Sequence, residues 1–255
     1  MMKPHIIRFP KERSHTLYFL TYAKNFPVVH VDTKIDMTNV LRTRSELLKK
    51  NGAKYSYISF IIQAIAKVIK NYPEANSAVK GFIFPKISYY NRISAKFTID
   101  KEINGKRAVL SGLITDADKL PLALIQKKIN YYRDFPFDNI EEFQSIRKLQ
   151  SLPFIIGQYI YRKFISNFQK REQLLGTYSI TSFGHRPVEY VHPVIASTLG
   201  FGVCAIQNTP AVIEDEIVIR PIMGLTLSFD HRAIDGAMAA DILRDVKMEL
   251  EQYKL

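Results

Sequence analysis

One histidine stands where an apolar strand gives way to a helix. The segment Ser228-Phe229-Asp230-His231-Arg232-Ala233-Ile234-Asp235-Gly236 contains it. An imidazole whose pKa lies near neutrality, and whose tautomer is fixed by a hydrogen bond, can act as a general base. Asp235 and Gly236 suit the start of a helix, through side-chain capping and backbone freedom. A lone histidine is more often a core or capping residue, so the surrounding elements decide between these interpretations.

Strands and helices alternate along the chain that positions this loop. Residues 28–36 alternate partly and predict a strand, and Thr38 is placed to cap a helix over 39–50 that Asn51-Gly52 ends. Further helices are predicted at 57–71, 118–133 (capped by Asp118) and 237–253, and strands within 82–99 and at 107–115, 176–182, 198–207, 211–219 and 222–230. Short turns such as Asn208-Thr209-Pro210 join several strands. The pattern predicts an α/β fold with a mixed central sheet and packed helices.

Composition limits the class of protein and its partners. The 255 residues are 47% hydrophobic, and we predict a single domain over 1–255. Lysine and arginine exceed acidic residues by 36 to 24, which suits anionic partners such as an acidic carrier or coenzyme A, or a solvated basic surface. No basic run supports nucleic-acid binding. Cys204 is the only cysteine, which fits a reducing compartment such as the cytoplasm.

Residues 139–173 differ from the rest of the chain. They are predicted to be helical with interruptions near Pro153 and Gly157, and 152–165 is apolar and aromatic. This helical insert could shape an acceptor pocket, or form a buried helix pair or a subunit contact. It could also lie on a membrane surface through 152–165 with its basic residues outward. Those basic residues are Arg162, Lys163, Lys170 and Arg171.

The motif His-Arg-Ala-Ile-Asp-Gly-Ala at 231–237 resembles the signature of the acyltransferase cores of 2-oxoacid dehydrogenase complexes, the dihydrolipoamide acyltransferases. Chloramphenicol acetyltransferase shares that fold and a similar loop. Residues 57–76, 114–122 and 176–184 resemble further segments of the family in the same order, and 13–36 are closer to chloramphenicol acetyltransferase. The resemblance covers nearly the whole chain except 139–173. It implies a chloramphenicol acetyltransferase-like fold.

The resemblance also implies roles for single residues. His231 would remove the proton from the attacking nucleophile, and Thr181 would donate a hydrogen bond to the tetrahedral oxyanion, with Ser182 beside it. Asp235 would pair with an N-terminal arginine, of which Arg13 is the best match and Arg8 the second. Together with Arg13, Gly236 would support the loop. In the family the site lies between subunits of a trimer, so His231 would face Thr181 of a neighbouring chain.

The resemblance implies coenzyme A as a substrate, with Ser111 and Ser182 as candidate contacts. The family's Gly-Leu-Ile-Thr-Pro segment, which lines the cofactor side in relatives, is replaced here by 108–112. No lipoyl domain is recognised in this sequence, so the acceptor is expected to be a small molecule or a carrier rather than a lipoyl group in cis. His185, His192 and Asp230 show no metal-ligand spacing, and no metal is expected.

Three functional hypotheses follow. The first is a free-standing acyltransferase that uses an acyl-CoA or another thioester, assembled as a homotrimer or a multiple of trimers. The alternative is a non-catalytic oligomeric scaffold on the same fold that holds a partner through the insert. A third is a peripheral complex component that takes lipoyl groups from another chain.

Overall fold

A computed structural model describes residues 9–81 and 83–254. Its main sheet has six strands in the order β1-β8-β7-β6-β4-β5, and β2 and β3 form a separate hairpin. The strands are β1 (Val28–Asp36), β2 (Ser77–Lys80), β3 (Lys86–Tyr89), β4 (Ala95–Ile103), β5 (Lys106–Ile114), β6 (Tyr178–Ser182), β7 (Leu199–Ile213) and β8 (Glu216–Asp230). β6 runs parallel to both β4 and β7, and the other pairs are antiparallel. The predicted mixed sheet is confirmed.

Helices cover both faces of this sheet. They are α1 (Ser14–Ala23), α2 (Thr38–Asn51), α3 (Tyr57–Ile69), α4 (Leu122–Asp134), α5 (Gln144–Ser151), α6 (Phe154–Ile165), α7 (Phe168–Leu175) and α8 (Gly236–Glu251), with short 3-10 helices at Lys11–Arg13, Phe137–Asn139 and Glu141–Phe143. The main core includes the buried side of α3, the apolar side of α8 and sheet residues such as Tyr178 and Phe201. Because successive residues of a strand point to opposite faces of the sheet, the residues adjacent to Tyr178 and Phe201 point to the second face.

The central residues of that second face are small or polar. A Cβ added at Gly200 would contact the Ser179 hydroxyl, and one added at Gly202 would overlap the Thr226 hydroxyl. These four residues therefore lie on the same face of the sheet. The segment 186–197 covers its middle, where the backbone oxygen of Val191 accepts a hydrogen bond from the Thr226 hydroxyl. Small residues therefore leave room for polypeptide, or for a ligand, directly on the sheet.

One predicted turn is wrong for reasons of backbone chemistry. The turn expected at Asn208-Thr209-Pro210 lies inside β7, and the chain reverses at Glu214-Asp215, both with positive φ. Beyond the Asp36–Ile222 pair, β7 and β8 form a two-stranded ribbon, where a proline is tolerated at an edge.

Two predicted helix caps are also replaced. Thr38, the predicted cap, is instead the first residue of α2. Its backbone N–H donates to the carboxylate of Asp36 at 2.9 Å. Asp118 lies in a turn, and α4 begins only after Pro121, whose fixed φ suits a helix start. Other boundaries are confirmed: β1 covers the predicted strand, and Gly52, at φ 69°, ends α2.

The insert forms α5, α6 and α7. The break at Pro153 is confirmed, but the one at Gly157 is wrong, because Gly157 lies within α6. A Cβ there would overlap the hydroxyl of buried Tyr18, so this glycine lets α6 pack closely on α1. The outward placement of Arg171 is also wrong. Its guanidinium is buried and donates to the backbone oxygens of Val79 and Ala196, each at 3.1 Å.

Candidate active site

The His231 loop is fixed by its backbone. The N–H of Asp230 donates to the Thr198 oxygen at 3.0 Å, and the N–H of His231 donates to the Pro27 oxygen at 3.1 Å. Within the turn, the N–H of Ala233 donates to the backbone oxygen of Asp230 at 2.9 Å. Main-chain hydrogen bonds from two other segments and one turn bond therefore hold the histidine in place.

An ion pair between a buried carboxylate and a partly exposed guanidinium reinforces this loop. The Asp230 carboxylate is fully buried and accepts two hydrogen bonds from the Arg232 guanidinium, at 2.7 and 2.8 Å. The hydrogen bond to Asp230 raises the pKa of Arg232. The guanidinium also stands 4.8 Å from the centroid of the Phe26 ring. Asp230 therefore clamps the loop and does not contact the imidazole as a second base would.

The His231 side chain is exposed, in contrast to its backbone. Its ring centroid lies 5.5 Å from that of Phe229. Within residues 9–81 and 83–254, no hydrogen bond to its imidazole is formed. The ring is thus presented outward and is available to a substrate or to a second chain.

Asp235 caps α8, as its position predicts. Its Oδ1 accepts the backbone N–H of Met238 at 2.9 Å. Among the described residues no ion pair joins it to Arg13, whose guanidinium lies 5.9 Å from the Phe9 ring centroid. Arg8 lies outside the described residues. Gly236 opens the helix, and a Cβ added there would meet no atom within 4 Å.

Thr181 lies near the end of β6, half-buried, and lines a cavity of about 230 Å³. Ser111 on β5 lines the same cavity. Ser182 does not line it, since successive strand residues point to opposite faces, and its Oγ accepts the backbone N–H of Gly184 at 3.3 Å. Two of the predicted hydroxyls therefore meet in one cavity, and the third belongs to a local turn.

The sheet register separates Thr181 from His231 within one chain. Thr181 pairs with Gly202, which pairs with Thr226, and His231 lies five positions beyond Thr226 along the chain. At about 3.3 Å per residue and about 4.8 Å per strand, the two Cα atoms lie roughly 19 Å apart. A single copy does not assemble the predicted pair.

The walls of the cavity come from segments distant in sequence. They include His15, Thr16, Phe19 and Leu20 of α1, Lys96 and Thr98 of β4, Ser179 of β6, Ile146, Leu149 and Tyr161 of the insert, and Leu174 and Leu175 at the end of α7. The insert is therefore a wall of this cavity as well as part of a small second core with α1. Of the roles weighed for it, shaping a pocket and packing as buried helices both have direct geometric support.

Sequence reasoning missed two polar residues of this cavity. The ring of His15 is engaged at both nitrogens, by the Val109 oxygen at 3.0 Å and by Gln150 Nε2 at 3.2 Å. Burial lowers the pKa of His15 and lowers that of Lys96 to about 8. The alternation Ala-Lys-Phe-Thr-Ile at 95–99 does place Lys96 opposite the core face, but it does not separate a cavity from solvent.

A second histidine group lies elsewhere on the polar face. His30 Nδ1 is 2.8 Å from Ser228 Oγ, and the ring centroids of His30 and His192 are 4.8 Å apart. Burial, and then the neighbouring His192, lower the pKa of His30. Among residues 9–81 and 83–254, no three His, Cys, Asp or Glu side chains are grouped as metal ligands.

The outer side of α6 is apolar and exposed. Ile155 and Tyr159 are 82% and 66% exposed, and Phe154, Ile156 and Ile160 are exposed beside them. The described residues contain no helix that is both long and apolar enough to span a bilayer. Contact of this face with a membrane surface stays a prediction.

Comparison with known proteins places the chain in a family. The family model described as 2-oxoacid dehydrogenases acyltransferase (catalytic domain) matches residues 4–134 and 162–255. Residues 135–161 are unmatched, so the match resumes inside the predicted insert.

Curated relatives agree with this match. The chain is 28% identical over 207 residues to the dihydrolipoyllysine-residue succinyltransferase component of the 2-oxoglutarate dehydrogenase complex of Buchnera aphidicola, covering 80% of this chain and 41% of the relative. It is 27% identical to the same component from Haemophilus influenzae, covering 86% and 46%. The chain thus spans about half the length of the curated relatives it matches.

Solved structures share the fold. A probable dihydrolipoamide acetyltransferase from Listeria monocytogenes superposes with a TM-score of 0.72 at 20% identity, covering 98% of this chain and 95% of the other. The dihydrolipoamide acetyltransferase of Azotobacter vinelandii gives 0.73 at 17% identity, covering 98% and 92%. Chloramphenicol acetyltransferase gives 0.51 at 12% identity, covering 98% and 100%. With the family model matching most of its length, the chain belongs to the 2-oxoacid dehydrogenase acyltransferase catalytic-domain family.

Proposed function

We propose that this protein transfers an acyl group between coenzyme A, or another thioester carrier, and a thiol acceptor, with His231 as general base. One observation carries the proposal. The backbone of His231 is fixed by hydrogen bonds to other segments, and yet its imidazole is exposed in the loop that carries the family motif. A base must meet its substrate in a fixed geometry, and this arrangement provides one.

The proposed reaction needs no covalent enzyme intermediate. The imidazole of His231 takes the proton of the attacking thiol, and the sulfur attacks the thioester carbonyl carbon. The carbonyl oxygen becomes an oxyanion, to which the Thr181 hydroxyl donates a hydrogen bond. Collapse of the tetrahedral intermediate breaks the bond to the leaving thiolate, which receives the proton from the imidazolium. The steps run equally in reverse.

His231 and Thr181 act together across a boundary between two copies in this proposal. The separation of roughly 19 Å within one chain supports it. A solved relative of the same fold is the cubic core of a pyruvate dehydrogenase complex. A homotrimer or a multiple of trimers would bring the exposed imidazole of one copy to the cavity of the next.

The Azotobacter enzyme supports the role of the loop. A serine, a histidine and an asparagine were studied there for their part in catalysis, and the histidine and asparagine are four positions apart. His231 and Asp235 have the same spacing here. Asp235 caps α8 and would hold the loop rather than contact the substrate.

The relatives' names supply the acceptor class. They act on a dihydrolipoyllysine residue, so we propose a dihydrolipoyl thiol, carried by another chain or free, as the acceptor. Ser111 and Ser182 remain the proposed contacts of coenzyme A, and a cytoplasmic location is proposed with them. The scaffold hypothesis is less favoured, because a scaffold needs neither a cavity at Thr181 nor an exposed imidazole.

The test is transfer from acetyl-CoA and from succinyl-CoA to dihydrolipoamide, followed by coenzyme A release. His231→Ala is expected to lower kcat/KM by about 10²- to 10⁴-fold, the usual contribution of a general base. His185→Ala is the matched control, because His185 is also exposed but lies in another loop. Equal rates for wild type and His231→Ala with both donors would overturn the proposal.

A further inference from the structure

The outer side of α6 combines apolar and basic side chains. Ile155 and Tyr159 are exposed and lie one helical turn apart, with exposed Ile156 beside them. Arg162 and Lys163 follow in the last turn of the helix, and both are exposed. The exposed side of α6 is therefore mainly apolar in its first half and basic in its second.

The inner side of α6 is already used for packing. Gly157, Tyr161 and Ile165 are buried, and the last two belong to the small core that α6 shares with α1. The outer apolar side chains therefore take no part in that core and face solvent within residues 9–81 and 83–254. A contiguous apolar surface of this kind is typical of an interaction site.

A second exposed apolar element begins beside the end of α6. The Lys80 ammonium donates to the backbone oxygen of Ser166, the residue after α6, at 2.6 Å. Lys80 ends β2, and Ile83 and Phe84 in the turn that follows are 79% and 81% exposed. Lys86, also exposed, then begins β3. This turn therefore repeats the combination of apolar and basic side chains found on α6.

Both elements carry charge of one sign. Residues 75–99 and 143–171 contain no aspartate or glutamate. Six of their exposed basic residues form no ion pair with a carboxylate of residues 9–81 and 83–254. These six are Lys80, Lys86, Lys148, Arg162, Lys163 and Lys170. The charges are complementary to an anionic partner, and the apolar residues require that this partner also offer an apolar phase.

The dimensions and charges of α6 favour a lipid surface over a second copy of the chain. The helix has 12 residues, about 18 Å at 1.5 Å per residue, against a hydrocarbon core of about 30 Å. It is long enough to lie along a membrane surface but not to cross it. A second copy that docked the same face on itself would bring two sets of cations together, which is unfavourable.

We propose that α6 and the turn between β2 and β3 dock this protein on the surface of a membrane that contains anionic lipids. The exposed isoleucine and aromatic side chains enter the boundary between head groups and acyl chains, and the lysine and arginine side chains contact the anionic head groups. Tyr159 suits this boundary, because its ring is apolar and its hydroxyl polar. Docking of this kind is independent of acyl transfer.

The test is flotation of the full chain with vesicles of phosphatidylcholine alone, or of phosphatidylcholine and phosphatidylglycerol in equal parts. Wild type is expected to float with the anionic vesicles, and less so as salt is raised, because salt screens the head-group charges. Ile155→Ser with Tyr159→Ser should weaken binding about tenfold or more through loss of buried apolar area. Arg162→Gln with Lys163→Gln should weaken binding to anionic vesicles about 10- to 30-fold.

Two matched double variants serve as controls. Ile217→Ser with Ile219→Ser removes apolar residues of β8 that are 80% and 75% exposed. Lys49→Gln with Lys50→Gln removes two exposed charges at the end of α2. Both controls are expected to float as wild type does. All four double variants replace exposed side chains, and circular dichroism checks that each retains its fold.

Failure of wild type to float with anionic vesicles at low salt would overturn the proposal, as would equal flotation with both kinds of vesicle. Losses in the control variants as large as those in the α6 variants would show attraction without a defined surface and also overturn it. Size-exclusion chromatography without lipid tests the remaining occupant. A smaller assembly in Ile155→Ser with Tyr159→Ser, together with no flotation of wild type, would assign this face to contact between copies instead.

Discussion

Thr181 and His231 are held in opposite ways. Thr181 lies in a cavity whose walls come from α1, the sheet and the insert, and its surroundings are mainly side chains. His231 projects from a loop fixed by main-chain hydrogen bonds, and its ring faces outward. The cavity has the features that select a substrate, and the loop has those that act on one. In the proposed function, each copy therefore carries two halves of different sites.

Removal of the Thr181 hydroxyl tests the cavity half. Thr181→Val keeps the shape of the side chain and is expected to lower kcat by about 10²- to 10³-fold, because one oxyanion donor is lost. Ser166→Ala is the control, because that hydroxyl lies outside the cavity and donates to the backbone oxygen of Lys163. A larger loss in Ser182→Ala than in Thr181→Val would assign the oxyanion role to Ser182.

Mixing two inactive variants tests whether the halves meet between copies. His231→Ala and Thr181→Val subunits, unfolded together and refolded in equal amounts, are expected to recover about one quarter of wild-type activity, since each site takes its two residues from independently chosen copies. Activity is measured after size-exclusion chromatography. The same variants refolded separately and then combined serve as the control. No recovery in the co-refolded sample would place both residues of a site in one chain.

The contact between α6 and α1 tests the wall of the cavity. Gly157→Ala is expected to lower the free energy of unfolding by about 1–3 kcal/mol, because the added methyl overlaps the Tyr18 hydroxyl in a packed cluster. That hydroxyl is buried without a hydrogen-bond partner among the described residues, so Tyr18→Phe removes the obstacle at little cost. Urea unfolding of the single and double variants measures the coupling. Additive effects would contradict the overlap.

The cap of α8 tests the support of the loop. Asp235→Ala is expected to lower the free energy of unfolding by about 1 kcal/mol through loss of the hydrogen bond to Met238. Asp235→Asn keeps an acceptor and should lose less. Thermal unfolding of the three proteins measures this, and equal losses in both variants would point to the charge of Asp235 instead.

Local signals in the sequence were sufficient for much of the fold. The alternation at 28–36 predicted β1, and the apolar spacing with Asp235 at its start predicted α8. Pro210 was misread as a turn because its tolerance depends on lying in a two-stranded ribbon, a tertiary fact. Gly157 was misread as a break for the same kind of reason, since only the packing of Tyr18 explains it.

The site was less accessible to sequence reasoning. The motif at 231–237 and the strand at 176–184 identified His231 and Thr181 through resemblance, and the structure places them in an exposed loop and a cavity. Lys96 and His15 were missed because the cavity joins segments more than 80 residues apart, which no local pattern reveals. Arg171, read as a surface charge, is buried by contacts with two backbone oxygens from other segments.

The main-chain hold on His231 also has an energetic consequence. Ordering one residue from a flexible loop costs about 1–2 kcal/mol of conformational entropy. Here the backbone bonds to Thr198 and Pro27 and the ion pair of Asp230 with Arg232 order the loop when the protein folds. In the proposed reaction, the interaction energy of an incoming thioester is then not reduced by the need to organise the base. The loop is preorganised, and only the rotation of the imidazole remains to be fixed on binding.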